Sequence, residues 1–334
     1  MPSIQKPYDT DTDILKILSA LFVIMIHAAS NLYGHIFFNS LARFSVPIFV
    51  LISGHYMLFR RENLISIWKR CIRILMTMFV WSGLFLLYQL FAEHLRLENG
   101  ISLIKYLLTE PSHLWYCYAI FALYLFTPIF SVFCHSANRR ELEYALALTF
   151  FFGSIVNLLL RCGMFPMLSI ILDRMKLDST LGFVFLYLAG YYLRVYDLSL
   201  PCRKCFYALG ILGFSVTYFG TVLRSSRVGV LDELFFSFFS PNVIASSLAI
   251  YILIRYRQRI RPFRDTNGRI HRLASCSAGI YFLHPMIILL FQDFLTEPWL
   301  HWPVAIPLRT LIFFVISFII VWILKKIPIL RELV

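Results

Sequence analysis

The sequence predicts an all-α polytopic membrane protein of about ten transmembrane helices, forming a single integral-membrane domain over residues 1–334. Three observations predict it. Hydrophobic residues make up 59% of the 334 residues and the mean hydropathy is +0.74. That is more apolar surface than a soluble core can hide, so lipid is the solvent for much of the chain. Ten stretches approach the roughly 20 apolar residues that a spanning helix needs. The Lys and Arg residues segregate to one side when those stretches alternate across a membrane.

The stretches lie at about 14–33, 42–60, 71–92, 113–134, 141–160, 179–196, 205–224, 240–256, 274–294 and 303–324. Backbone groups in hydrocarbon must bond within their own segment, so helices are the expected form. The short alternating segments of a β-barrel are absent from the sequence. The connections are short and charged, without repeats, low-complexity tracts or a soluble domain. Acidic residues precede the first apolar run and no small-residue cleavage site follows it, so the first helix is expected to stay in place.

The net charge is +13. With both termini cytoplasmic, 22 of the 31 cations fall on the cytoplasmic side, among them Lys6, Arg60, Arg139, Arg203, Arg255 and Lys325. The other side holds Arg43, Arg96, Lys105, Arg161, Arg174, Lys176, Arg224, Arg227 and Arg309. The charge therefore reads as membrane topology, not as nucleic-acid binding. The loop RYRQRIRPFRDTNGRIHR (255–272) suits either an anionic ligand or lipid head groups. Among seven cysteines only Cys202 and Cys205 form a CxxC, with no second pair to complete a zinc site, so no metal is expected.

DILKILSALFVIMIHAAS (13–30) places His27 eleven residues after Lys16, on the same helix face and roughly 16 Å further along the axis. Asp13 stands one turn before Lys16 and can pair with it. An ionisable group at that depth marks a site or a pathway; the plain alternative is a neutral histidine bonded between helices. RFSVPIFVLISGHYML (43–58) brings Arg43, a Pro47 expected to kink the helix, and a small polar patch at Ser53 and Gly54. There packing competes with a functional role, and His55 reads as interfacial. His113 and Trp115 open HLWYCYAIFALYLFTPIF (113–130), either as aromatic-belt residues or as part of a site. SAGIYFLHPMII (277–288) carries Tyr281 one turn before His284. His284 precedes Pro285 and either serves a site or bonds the backbone that the proline frees. Arg161 and Arg309 read as interfacial. Several histidines and arginines on an apolar frame point to proton transfer or anion handling.

In this order, the quoted segments and the basic IWKRCIRI (67–74) resemble acyltransferase family 3 of integral membrane proteins. Within it they are most similar to the enterobacterial-common-antigen O-acetyltransferase branch. The family's first-helix motif, an arginine, ten residues and a histidine, falls on Lys16 and His27, with lysine in place of arginine. Its acidic residue falls on Asp13, its arginine before a V-P pair on Arg43, its S-G pair on Ser53 and Gly54, and its basic cluster on Lys69, Arg70 and Arg73. Its late histidine falls on His284.

The resemblance implies acyl transfer, usually acetyl, from cytoplasmic acyl-CoA to a sugar hydroxyl. Acetyl-CoA is then a donor co-substrate and no cofactor is bound. The partners are a glycan or lipid-linked sugar and membrane lipid; nucleic acid is not one, and a homo-oligomer stays open. In that scheme Asp13, Lys16, His27, Arg43 and His113 carry the chemistry, with His27 as general base or transient acyl carrier. Lys69, Arg70 and Arg73 hold CoA phosphates, and Ser53, Trp115, Tyr281 and His284 line substrate sites. The competing classes are a multi-pass transporter of a small anionic or sugar-linked substrate, built from the same midplane polar groups, and a membrane scaffold with dispensable histidines.

Overall fold

Apolar runs leave the helix as the backbone arrangement that satisfies every N–H and C=O away from water. The computed structural model is helical, with no strand among its described residues. Those are residues 9–29, 32–92, 99–109, 112–162, 178–260, 265–291, 301–328 and 330–334. Lys6, Arg96, Arg174, Lys176, Arg261 and Arg264 lie outside them, as do 30–31 and 292–294 of the first and ninth predicted stretches.

In chain order the helices are α1 (Thr10–Ala28), α2 (Leu32–Ala42), α3 (Ser45–Met57), α4 (Leu64–Ala92), α5 (Gly100–Thr109), α6 (Trp115–Ser136), α7 (Arg139–Phe150), α8 (Asn157–Cys162), α9 (Asp178–Val195), α10 (Leu200–Val228), α11 (Pro241–Ile260), α12 (Arg269–Ser275), α13 (Ser277–Phe291) and α14 (Trp302–Leu324). Their ends follow local chemistry. Asn138 caps α7 by accepting from the Arg140 and Glu141 amides, while the Glu141 carboxylate accepts from the Asn138 amide. α10 has a proline in its first turn and stops at Gly229, whose φ of 77° suits glycine.

Among the described residues seven segments are long and apolar enough to cross a membrane: Leu32–Met57, Leu64–Ala92, Trp115–Ser136, Arg139–Cys162, Leu200–Val228, Leu234–Ile260 and Trp302–Leu324. An eighth is counted if α12 and α13, bent by 56° at their junction, form one broken span. Two of the ten expected spans account for the difference. α1 carries Asp11, Asp13 and Lys16 in its first two turns, and the apolar part of α9, Gly182–Val195, is short. The second span starts at Leu32, before the predicted 42. α2 and α3 share it across a break at Arg43 and Phe44, and Pro47 lies in the first turn of α3, where a missing N–H costs little. It starts a helix instead of kinking one.

α1 is enclosed, packed against α2, α3, α11, α12, α13 and α14. Large apolar side chains on the outward faces of α4, α6 and α10 are left open; Phe91 is 79% exposed, Ile211 70% and Val132 67%. In water such a surface would aggregate; lipid covers it at no cost. Polar residues inside the helices bond to their own backbone one turn back. Thr127 donates to Leu123, Ser247 to Val243 and Thr310 to Ile306.

The closest crossing is α3 against α9. A methyl group on Gly54 would strike the Tyr187 carbonyl, and one on Gly190 the Leu51 carbonyl. The small patch at Gly54 is thus a packing requirement. Gly54→Ala and Gly190→Ala should each destabilise the detergent-solubilised protein by about 1–3 kcal/mol through overpacking. Gly83→Ala, with nothing within 4 Å of the new methyl, should leave the melting temperature unchanged or slightly raised.

Candidate functional site

A cavity of about 840 Å³ opens at one end of the bundle, walled in part by Asp13, Lys16, Arg60, Arg70 and Arg73. This basic end is organised by Asp13, which is 2% exposed. Its Oδ1 accepts from Lys16 Nζ at 3.1 Å, as the one-turn spacing foretold, and its Oδ2 pairs with His271 Nδ1 of α12 at 2.8 Å. The His271 contact spans the whole chain and left no local signal. Lys16 Nζ stands 5.5 Å from the Tyr56 ring centroid, on the cavity wall.

The basic cluster of α4 divides. Arg70 grips Glu62 with two bonds of 2.9 and 2.8 Å, and Arg73 pairs with Glu332 at 3.0 Å. Both line the cavity, whereas Lys69 is exposed and away from it. Ser53 faces the same cavity and donates to the Phe49 carbonyl at 2.9 Å. Residues 331–334 form part of the wall, held by a 3.0 Å bond from Trp81 Nε1 to the Leu333 carbonyl.

A second cluster beside it was not foreseen. His55, read as interfacial, is 2% exposed; its Nδ1 lies 2.8 Å from the Tyr251 hydroxyl and 3.2 Å from Arg255 Nη1. Arg194 donates to the His55 carbonyl, and Tyr56 to Asp9. Burial and the neighbouring Asp9 carboxyl both push the Asp11 carboxyl up. Arg255, counted among the loop cations, is 8% exposed, and Arg259 pairs with Asp197. Arg309, also read as interfacial, is 7% exposed.

Tyr116, Cys117 and Tyr281 form the inner wall of the cavity. Immediately beyond stand three imidazoles from three separate elements. His27 and His284 have ring centroids 5.3 Å apart, and His113 lies 6.1 Å from His284. Tyr281 joins them by donating its hydroxyl to the His113 carbonyl. Pro285 lacks the N–H that would bond the Tyr281 carbonyl one turn back, and His284 Nδ1 takes that carbonyl instead, at 2.7 Å. The backbone reading of His284 therefore holds, and it has a chemical consequence. A carbonyl only accepts, so Nδ1 carries the proton and Nε2 keeps a lone pair. That Nε2 is fully buried and has no hydrogen-bond partner. His113 is alike in that its Nε2 is buried without a partner. His27, by contrast, is exposed. Two buried ring nitrogens without a partner are unusual for purely structural histidines.

On the far side a pocket of about 330 Å³ is walled by Arg43, Trp115, Arg161, Glu233 and Phe236–Phe239. Arg43, from the break between α2 and α3, lies 4.8 and 4.9 Å from the Phe236 and Phe238 ring centroids. Trp115 stacks on Phe183 and Phe238. Thus Asp13, Lys16, Arg70, Arg73, Ser53 and Tyr281 meet at the basic-end cavity, Arg43 and Trp115 at the far pocket, and His27, His113 and His284 between them. Among the described residues no three His, Cys, Asp or Glu are grouped to hold a metal.

A family model for an acyltransferase domain, acyltransferase family 3, matches residues 9–326. Among curated proteins and solved structures nothing matches the chain.

The carbonyl partner of His284 sets a tautomer that is directly measurable. In protein labelled with ¹⁵N-histidine, this ring should show protonated Nδ1 and bare Nε2 at neutral pH. Its signals should be identified by their loss in His284→Ala. An Nε2-protonated form would contradict this arrangement.

Proposed function

The chain belongs to acyltransferase family 3, and on that premise we propose that this membrane acyltransferase moves an acetyl or other short acyl group from acyl-CoA to a hydroxyl of a glycan or lipid-linked sugar. The reading places it in the cell inner membrane as a glycan O-acetyltransferase, with the basic end and both termini facing the cytoplasm. One observation carries it: the His113 and His284 rings stand 6.2 and 6.0 Å from Tyr281 in the wall of an anion-friendly cavity, with His27 5.3 Å from His284, and the chain runs from His113 directly to Trp115 in the wall of a separate pocket.

The donor binds at the basic end. Acyl-CoA is polyanionic, and Lys16, Arg70 and Arg73 wall a cavity of the size that buries a small ligand. Glu62 and Glu332 hold two of those cations in place and yield to phosphate, a stronger partner for a guanidinium fork. Asp13 positions Lys16. Lys69, outside the wall, serves the surface charge only.

The acceptor enters from the far pocket. His27 takes the proton of the sugar hydroxyl as its oxygen attacks the acyl carbonyl carbon. The carbon–sulfur bond breaks, and the CoA thiolate leaves and regains a proton. A variant of the same chemistry has His27 carry the acyl group between two such steps. Arg43 supplies the positive charge near the reacting oxygen. His284 presents a lone pair and not an N–H at its Nε2, so it suits the hydrogen of the incoming hydroxyl better than an oxyanion. Tyr281, with its bond to the His113 carbonyl, holds the backbone that carries that ring.

Inverted vesicles supplied with labelled acetyl-CoA test the reading. Label should enter the glycan or lipid-linked fraction, and His27→Ala should reduce transfer by about 10²–10⁴-fold, the usual value of a general base. Normal transfer by an inserted His27→Ala protein would remove His27 from the mechanism. Charge reversal at Arg70 and Arg73 should raise KM for acetyl-CoA with a smaller effect on kcat; unchanged kinetics would leave those residues a topological role alone.

A further inference from the structure

The far pocket is built around an arginine that makes no salt bridge among the described residues. Arg43 Nε is buried and bonded to no acceptor. Its contacts are the faces of Phe236 and Phe238. A guanidinium held between aromatic faces keeps its rim of N–H donors free, and those donors suit two oxygens of a carboxylate or phosphate. Other arginines pair with carboxylates, Arg70 with Glu62, Arg139 with Glu143, Arg224 with Asp232 and Arg259 with Asp197, whereas Arg203 and Arg255 share with Arg43 a buried Nε without a partner; of these three Arg43 alone walls the far pocket. The second cation of the pocket, Arg161 at the end of α8, makes no ion pair among the described residues. Glu233 is the one carboxylate among the described wall residues and forms no salt bridge with Arg43. Two guanidinium groups against one carboxylate leave the described wall net positive. A buried unpaired charge is costly, and an arrangement that keeps one suits a ligand that supplies the counter-charge.

We infer that the far pocket recognises the acceptor by an anionic group, a carboxylate or phosphate carried on a sugar, gripped by Arg43 and Arg161 against the aromatic wall of Trp115 and Phe236. The inference rests on the reading of this pocket as the acceptor site and adds the class of acceptor to it. About 330 Å³ admits a single sugar unit. Aromatic side chains offer the apolar face on which a sugar ring lies, and Glu233 accepts from its hydroxyls. A neutral sugar would leave both guanidinium groups unanswered and would be discriminated against.

Trp115 lies in the wall and reports occupancy by its fluorescence. Protein in nanodiscs is titrated with glucuronate, glucose 1-phosphate and glucose, and the signal is assigned to the pocket by its loss in Trp115→Phe. Saturable binding of glucuronate or of glucose 1-phosphate, at least about tenfold tighter than glucose, is expected. Which of the two binds tells a carboxylate from a phosphate. Arg161→Gln should weaken the anionic probe about tenfold and leave glucose unchanged, while Arg161→Lys recovers part of the loss. Arg161 is exposed, so these variants keep the fold. Equal binding of glucose, or no saturable response to any of the three, overturns the inference. Labelled-acetyl transfer in vesicles of the same protein is a separate readout. Its failure with anionic binding intact counts against acyl transfer alone, and its success with glucose bound equally counts against the anion alone.

Discussion

The bundle is arranged around a helix that lipid would reject. α1 brings Asp11, Asp13, Lys16 and His27 to membrane depth or its edge, and a charged residue near the bilayer centre costs about 2.5–3.5 kcal/mol on insertion scales. Enclosure solves this. Six helices surround α1, and Asp13 and Lys16 meet each other and the basic-end cavity. Asp13 is satisfied twice, by Lys16 and by His271. Where α1 turns a polar group outward from its packing, a cavity stands: the basic-end cavity at Lys16, and open space at His27. Enclosing this helix and building the site are one structural event.

Composition and charge made the all-helical membrane class legible, because lipid and the positive-inside bias act on averages. The number of spans was less so. α1 and α9 look like spans when hydropathy is smoothed, yet one is charged at its start and the other is short. α2 and α3 form one span across a break that no glycine or internal proline announces. Of the site, the Asp13–Lys16 pair and the shared face of Lys16 and His27 followed from helical periodicity, and the family motif drew attention to His284 and Arg43. What could not be read were contacts between distant segments: His271 with Asp13, Arg255 with His55, Phe236 and Phe238 on Arg43. These depend on helix packing, and nothing local encodes them.

His284 shows how the two competing readings of a residue can both hold. Pro285 removes an amide, and the imidazole takes the orphaned carbonyl. That looks like housekeeping. The same bond fixes which nitrogen carries the proton and where the other points, as the ligand-orienting partners of a metal-bound histidine do. The backbone defect and the chemical group are two ends of one ring.

An imidazole relays protons along a chain only if its ring can turn between accepting on one nitrogen and releasing from the other. His284 is tied at one nitrogen to a backbone carbonyl inside a packed interior. Turning would strand that carbonyl in a medium with no water to replace the bond. The ring is therefore a poor link in a proton wire: an imidazole anchored to repair a backbone defect holds its proton where it is.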